Sequence, residues 1–335
     1  MEREEQLNWK ARIRELAEIV GFSAIGFTSS EPIEGLKEFL EERREVGYHT
    51  SFEEKELSRR VDAKLIWPSC ESVVALAYPL PYTSKPLEGE GVLARSAVGE
   101  DYHQIVKNCC DELIISMENA GWNYERPRIQ VDTGPLNERA FALRAGLGWI
   151  GRNQQLIIPQ TGSFVSLALM LLDQKIIADE PMANQCGSCR KCIEACPAQI
   201  IGKSVFVANQ CLSYLTQSKE VLSEEQVARL ENRLFGCDTC QEVCPQNQAW
   251  LQKEESVESK VPRGEDLWGV LDLTKSEFNQ RFKSTAAGWR GKGILQRNAY
   301  LALRKQKDSK FREWEKKKER EKDGIPPMIR AYVRE

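Results

Sequence analysis

The sequence has no apolar run of membrane-spanning length; its best candidate, FVSLALMLL from Phe164, is strand-sized. The opening MEREEQLNWKARIREL is charged and amphipathic, with neither an apolar signal core nor a twin-arginine pair. A cytoplasmic protein with no membrane partner is therefore expected. Histidine is scarce. His49 and His103 are the two present, and neither has a second His or Cys at ligand spacing, so no His-based metal site is visible. For His103, in DYHQ ahead of a helix, capping or packing is the default reading. No G-x-G-x-x-G follows a strand, which leaves a nicotinamide site unsupported.

What the chain does have is length, cysteine and an uneven charge. It runs to 335 residues, 41% apolar and 29% charged, enough for two or three soluble domains. In a reducing compartment its eleven cysteines are metal ligands or core residues rather than disulfides. The net charge of −3 hides an asymmetry: from Arg281 to Glu335 there are seventeen Lys or Arg against seven Asp or Glu. A basic tail on an acidic body fits a polyanionic partner such as nucleic acid. The run KFREWEKKKEREKDG fits equally well as an exposed helix with both signs at helical spacing, and charge alone favours that reading.

Along the chain, residues 7–20 read as a helix stopped by Gly21, SAIGFTS as a strand, GLKEFLEERREVGY as a helix and SVVALAYPL as a buried strand. A polar loop then runs to about Ala97. YHQIVKNCCDELIISMENAGW has a helical period, IQVD a strand, NERAFALRAG a helix, and QLIIP and SFVSLALMLL are strands joined by QTG. The alternation predicts one α/β domain over residues 1–180. Residues 181–250 carry the cysteine motifs, and NQAWLQKEESVESKVPRGED reads as a polar linker. The region 263–335 looks helical, with Ile294, Leu295, Ala299 and Leu303 on one face.

Eight cysteines lie between residues 186 and 244. Cys186, Cys189, Cys192 and Cys196, followed by Pro197, form the bacterial ferredoxin run C-x2-C-x2-C-x3-C-P, whose fourth cysteine serves the other cluster. Cys237, Cys240 and Cys244, followed by Pro245, repeat it with one cysteine missing, and Cys211 can supply that one. The predicted ligand sets are Cys186, Cys189, Cys192 and Cys244 for one [4Fe–4S] cluster, and Cys196, Cys211, Cys237 and Cys240 for the second. Zinc knuckles need neither the third cysteine nor the prolines. Cys70, Cys109 and Cys110 fall outside the pattern and read as structural. Two clusters imply one-electron transfers to an acceptor in the α/β domain.

The other dense region is VDTGPLNERAFALRAGLGWIGRN. Asp132 ends a strand at a Thr-Gly-Pro turn. Facing a cleft, its carboxyl suits a general acid provided burial or a neighbour raises its pKa; otherwise it is a turn residue bonding its own backbone, which such residues often are. A surface or capping role is expected for Glu138 and Arg139. GLGWIGRN lets a flat ligand approach the backbone, or serves as a packing turn.

DYHQIV, VDTGPLNERAFALRAGLGWIGRN, CGSCRKCIEACP, CLSYLTQ, NRLFGCDTCQEVCP and GWRGKGILQRNA occur here in the order seen in epoxyqueuosine reductases. The resemblance spans about residues 5 to 305. It implies an α+β/α/β cobalamin-binding domain, a ferredoxin-like domain with two [4Fe–4S] clusters and a short C-terminal α-helical, HEAT-like segment. It implies an oxidoreductase that completes queuosine synthesis on tRNA, turning the epoxide of epoxyqueuosine in the anticodon loop into a cyclopentene, with cobalamin reduced through the clusters. The family's proton donor matches Asp132, which reverses the turn-residue reading. Arg60, Asn153, Ser213, Gln217, Asp238 and Thr239 match positions lining the cobalamin pocket, as does Asp132. The scarcity of histidine agrees with cobalamin lacking a protein axial ligand. An unidentified low-potential donor supplies electrons, and a monomer suffices. Ala94 stands where some members have cysteine, and the chain ends at Glu335, where longer members continue with further repeats, so a shortened array should lean on the main body. Two rivals remain: another cobalamin reductase, reductive dehalogenase-like, though those usually carry an export signal; and a ferredoxin-like electron carrier with an RNA-binding tail, in which Asp132 is dispensable.

Overall fold

A computed structural model of the chain describes all residues except 1, 204, 259–260, 307–308, 321–323 and 334–335. Residues 321–323 of the charged C-terminal run therefore lie outside the described residues. The central sheet orders its strands Ala24–Ser29, Ser72–Pro79, Val165–Leu172 and Arg128–Gln130. Every pair in it is antiparallel. The helix–strand alternation is real, but the pairing makes this half α+β rather than α/β.

Strand Ser72–Pro79 shows why its sequence is nearly all apolar. Val74 and Leu76 pack on one side with Met170 and Leu172 beneath helices Arg3–Val20 and Tyr102–Asn119. Val73, Ala75 and Ala77 pack on the other with Leu169, Leu171 and Phe141 of helix Glu138–Arg144. A strand covered on both faces loses polar–apolar alternation. Each fully buried Val or Leu contributes about 1.5–3 kcal/mol. Cys70 and Cys110 are fully buried in these cores, and burial pushes both thiols up to about 12. They are packing residues.

A second core gathers Leu93, Ala97 and Val98 with residues from Ala198 to Tyr332. Here a three-stranded sheet places Gly91–Leu93 between Arg233–Phe235 and Gly264–Glu265. The polar loop expected before Ala97 thus holds a strand. The expected linker also needs correction, because Gln248–Ser256 is a helix. Its Trp250 packs on Phe164, and its buried Glu254 accepts hydrogen bonds from Arg95. A single inward stripe in an otherwise polar run hid it. Helix Lys292–Gln306 buries Ile294, Leu295, Ala299 and Leu303, as its period predicts. Helix Ser309–Arg320 anchors itself through Phe311 and Trp314. No helix among the described residues is long and apolar enough to cross a membrane.

Candidate active site and cluster-binding cysteines

The turn after strand Arg128–Gln130 is built around one amide. Gln130 donates from Nε2 to the Leu136 carbonyl at 2.9 Å and accepts the Leu136 N–H at 3.0 Å. A Cβ at Gly134 would fall 2.1 Å from this side chain, so glycine is required where the turn crosses it. The chain leaves the strand through Asp132 in the left-handed region (φ 54°), a conformation aspartate tolerates better than most residues. Asn137 then caps helix Glu138–Arg144 by accepting the Ala140 N–H.

This turn aims Asp132 into an open cleft. Its side chain is 57% exposed, yet Tyr102, His103, Glu138 and Arg139 surround it. Tyr102 donates to Asp132 Oδ2 at 2.8 Å, and His103 Nε2 lies 3.0 Å from the same oxygen. His103 Nδ1 lies 2.6 Å from Asp101 Oδ1, and the Tyr102 and His103 rings stack at 4.0 Å. The Asp132 N–H donates to Glu138 Oε1 at 2.5 Å.

The charges follow from these contacts. The hydrogen bond from His103 holds the Asp132 carboxyl below its ordinary value, against the effect of burial. Burial disfavours a charged His103 ring, but Asp132 and Asp101 outweigh it and push the imidazole up to about 9. Burial, then the neighbouring Asp132 charge, push Glu138 up to about 8. The raised carboxyl pKa expected of Asp132 is thus not found. At neutral pH Asp132 is ionised and the proton sits on His103. His103 is more than a cap or packing group. Its partner lies 29 residues away, beyond the reach of local pattern.

Arg60 lies in the same region. Its Nη1 is 3.8 Å from Glu53, and its buried Nε has no hydrogen-bond partner among the described residues. Arg43 and Arg139 add positive charge beside it. Arg139 donates to the Gln154 carbonyl and faces Asp132 and Glu138, so it is part of the cleft rather than a plain surface residue.

The eight cysteines gather into two groups. Burial raises the Cys192 thiol, and Cys244, Cys186 and Cys189 raise it further. Burial also raises Cys240 well above its ordinary value, with Cys211, Cys237 and Cys196 adding to it. Cys192 thus neighbours Cys186, Cys189 and Cys244, and Cys240 neighbours Cys196, Cys211 and Cys237. Paired zinc knuckles would combine two cysteines from each run instead. Among the described residues no three His, Cys, Asp or Glu side chains converge on the position of one metal ion. Cys244 is the one buried cysteine of the eight, and burial pushes the Cys211 thiol up to about 11.

The remaining expected residues divide. Asn153 is buried and donates to the Cys240 carbonyl at 3.3 Å, tying the GRN turn to the second quartet. Gln217 donates to the Ser213 carbonyl at 2.8 Å, one turn beyond Cys211. Asp238 and Thr239 line a separate cavity of about 710 Å³ with Arg95, Arg233, Arg263 and Cys237. Asp132, Arg60, Asn153, Ser213 and Gln217 are absent from its wall. Asp238 is ion-paired to Arg95 at 3.2 Å and Arg263 at 3.5 Å. Thr239 Oγ1 accepts from Arg233 at 2.8 Å and lies 3.5 Å from the Cys237 sulfur. Ala94 lines this cavity too, and a Cβ at Gly236 would meet the Ala94 methyl at 2.4 Å.

Two family models match. One, described as a 4Fe-4S double cluster binding domain, covers residues 185–247. The other, described as epoxyqueuosine reductase QueG, DUF1730, covers residues 60–133. The epoxyqueuosine reductase of Staphylococcus aureus is 37% identical over 305 residues, 88% of this chain and 79% of that protein. A crystal structure of epoxyqueuosine reductase with an epoxyqueuosine-modified tRNA-Tyr stem loop superimposes with a TM-score of 0.86 at 32% identity, over 97% of this chain and 88% of the other. A structure of the Bacillus subtilis enzyme with an aspartate-bearing catalytic loop swung out of the active site gives the same TM-score, identity and coverage. The chain belongs to the epoxyqueuosine reductase family.

Proposed function

We propose that this protein reduces epoxyqueuosine to queuosine in tRNA, with cobalamin reduced through two [4Fe–4S] clusters. The observation that carries the reading is the pairing of two cysteine quartets with a proton-holding cleft, within a chain of this family. Removing the epoxide oxygen breaks both its bonds to carbon, forms the alkene, and consumes two electrons and two protons as water leaves.

The residues divide that work. Cys186, Cys189, Cys192 and Cys244 hold one cluster; Cys196, Cys211, Cys237 and Cys240 hold the other. The unpartnered Arg60 Nε and the Gln217 and Ser213 segment beside Cys211 suit a ligand rich in amide groups, such as cobalamin, whereas Asp238 and Thr239 belong to the separate cavity and to its ion pairs. Bound there, cobalamin would supply a strongly reducing cobalt. Arg139 and Tyr102 orient the substrate oxygen against Asp132. One of the two protons reaches that oxygen through Asp132 from His103 Nε2 across the 3.0 Å contact, and solvent supplies the other. Asp101 holds the ring through Nδ1, and Glu138 holds the Asp132 backbone. The proposed division is a cobalamin-binding catalytic domain at 1–180, a ferredoxin-like domain at 181–250 and a basic helical-repeat-like region at 263–335. The protein acts as a cytoplasmic monomer fed by a low-potential donor.

The test is an anaerobic turnover assay. Cluster-reconstituted protein receives epoxyqueuosine tRNA and a strong reductant, with and without cobalamin, and the digested nucleosides are weighed by mass spectrometry. Loss of one oxygen only with cobalamin is expected. No conversion by protein with intact clusters and confirmed tRNA binding would overturn the reading in favour of an electron carrier.

A further inference from the structure

The GWRGKG motif is not used by the chemistry above. A Cβ at Gly288 would fall 2.1 Å from the Phe282 carbonyl, so the turn packs hard against the preceding helix end and presents Trp289 outward. Trp289 is 55% exposed, and Phe52, from a different part of the chain, is 39% exposed. Their rings meet edge to face at 5.1 Å. The Arg290 guanidinium lies 4.7 Å from the Trp289 ring centroid and 5.1 Å from that of Phe52. Among the described residues no carboxylate pairs with Arg290.

Two exposed aromatic rings are costly to leave against water, and these are held firmly. The Trp289 indole N–H donates to Gln217 Oε1 at 2.9 Å, and Arg290 Nε donates to the Gln217 carbonyl at 2.9 Å. Phe52 packs on Tyr214 at 5.0 Å. The shelf is also continuous with the reaction cleft. Glu53, the next residue after Phe52, faces Arg60 and Arg139, and Arg139 faces Asp132. Rigid aromatic faces beside an unpaired guanidinium match an unpaired nucleobase and its phosphate: rings stack on any base, and the cation meets the backbone.

We propose that Phe52 and Trp289, framed by Arg290, form a stacking shelf for an unpaired base of the RNA loop, adjacent to the nucleoside that enters the Asp132 cleft. The proposal rests on the tRNA reading above. The shelf holds a neighbour of the modified nucleotide and helps keep the loop splayed.

The test uses the cluster-loaded full chain and a dye-labelled, unmodified anticodon stem-loop RNA, with a blunt duplex of the same stem as control. Binding is read by fluorescence anisotropy, and cobalamin affinity by visible absorbance. Trp289→Ala and Phe52→Ala should each weaken stem-loop binding by about tenfold, the scale of one lost base stack. Duplex binding should not move in either variant, cobalamin binding should not move in Phe52→Ala, and Trp289→Phe should recover most of the loss in stem-loop binding. Unchanged stem-loop affinity in both alanine variants, or equal losses for stem-loop and duplex, overturns the shelf. Lost cobalamin affinity with RNA binding intact overturns it in favour of a cofactor wall. Wild-type protein that binds the stem-loop without converting substrate counts against the proposed reaction and leaves the shelf to be decided by the variants. Wild-type protein that does not bind the stem-loop overturns both.

Discussion

Two clusters of ionised side chains stand apart in this molecule. Around Arg95, two guanidiniums and three carboxylates are assembled: Arg95 and Arg263 with Asp238, Glu242 and Glu254. Arg95 is 4% exposed and also lies over the rings of Phe164 and Trp250. Around Asp132, the members are His103, Tyr102, Asp101, Glu138 and Arg139, and the central carboxylate is open to the cleft. The residue types are similar. The first cluster directs most of its hydrogen bonds to its own members and joins three stretches of chain, with Arg95 Nε left without a hydrogen-bond partner among the described residues. The second leaves a carboxylate that an incoming molecule can reach, with the His103 ring one hydrogen bond away. Accessibility, rather than charge, separates a structural joint from a reactive one.

That contrast can be broken at four places. Asp132→Asn should lower turnover by about 100-fold or more, the scale of a lost general acid, with thermal unfolding and cluster absorbance unchanged. Single-turnover mass spectrometry checks it, and near-normal conversion would return Asp132 to a turn residue. Arg95→Met should act the other way. It leaves Asp238 and Glu254 buried without their main partner and should cost about 3–5 kcal/mol of stability. Denaturant unfolding of the cluster-loaded protein measures this, and a stable variant would mean Arg263 alone neutralises the site.

His103→Gln should reduce turnover by about tenfold at neutral pH and flatten its alkaline limb. The sign follows from the raised pKa. The ring is protonated below its folded value of about 9, so activity that draws on its proton falls as pH rises through 9. The stabilisation from the His103 ion pair is likewise complete below the unfolded value of about 6.5 and is lost through 9. An unchanged pH–rate profile in the variant would remove His103 from the proton path. The smallest effect belongs to Glu138→Gln. Glu138 is raised to about 8, so the folded state holds its proton more tightly than the unfolded chain, and stability declines as pH climbs from the ordinary carboxyl range through 8. The amide still accepts the Asp132 N–H but cannot ionise. Melting temperatures at pH 6 and pH 9 should therefore differ less in the variant than in the parent.

The sequence disclosed these regions unequally. The quartets were legible because ligand spacing within each run is local; Cys211 needed only a count of what was missing. The strands at 72–79 and 165–172 were legible because burial on both faces leaves a nearly unbroken apolar run. The Asp132–His103 contact was not, since it joins a turn to the first residues of a helix across 29 positions. The Arg95 cluster was hidden for the same reason, its partners lying more than 140 residues away. The 248–256 helix was hidden by its own composition, with Trp250 and Glu254 its two buried positions. Short strands such as Gly91–Leu93 carry too few residues for a period to register.

That last strand has a practical side. Gly91–Leu93 is the middle of a sheet whose flanks are Arg233–Phe235 and Gly264–Glu265. A chain cut after residue 180 to isolate the cysteine-rich half would leave both flanks without a centre. A chain stopped near residue 250 would leave one edge bare. During synthesis, all eight ligand cysteines emerge before the strand at 264–265 that completes this sheet. Iron loading before that point would meet an unfinished cradle, so cluster assembly should be most productive on the finished chain.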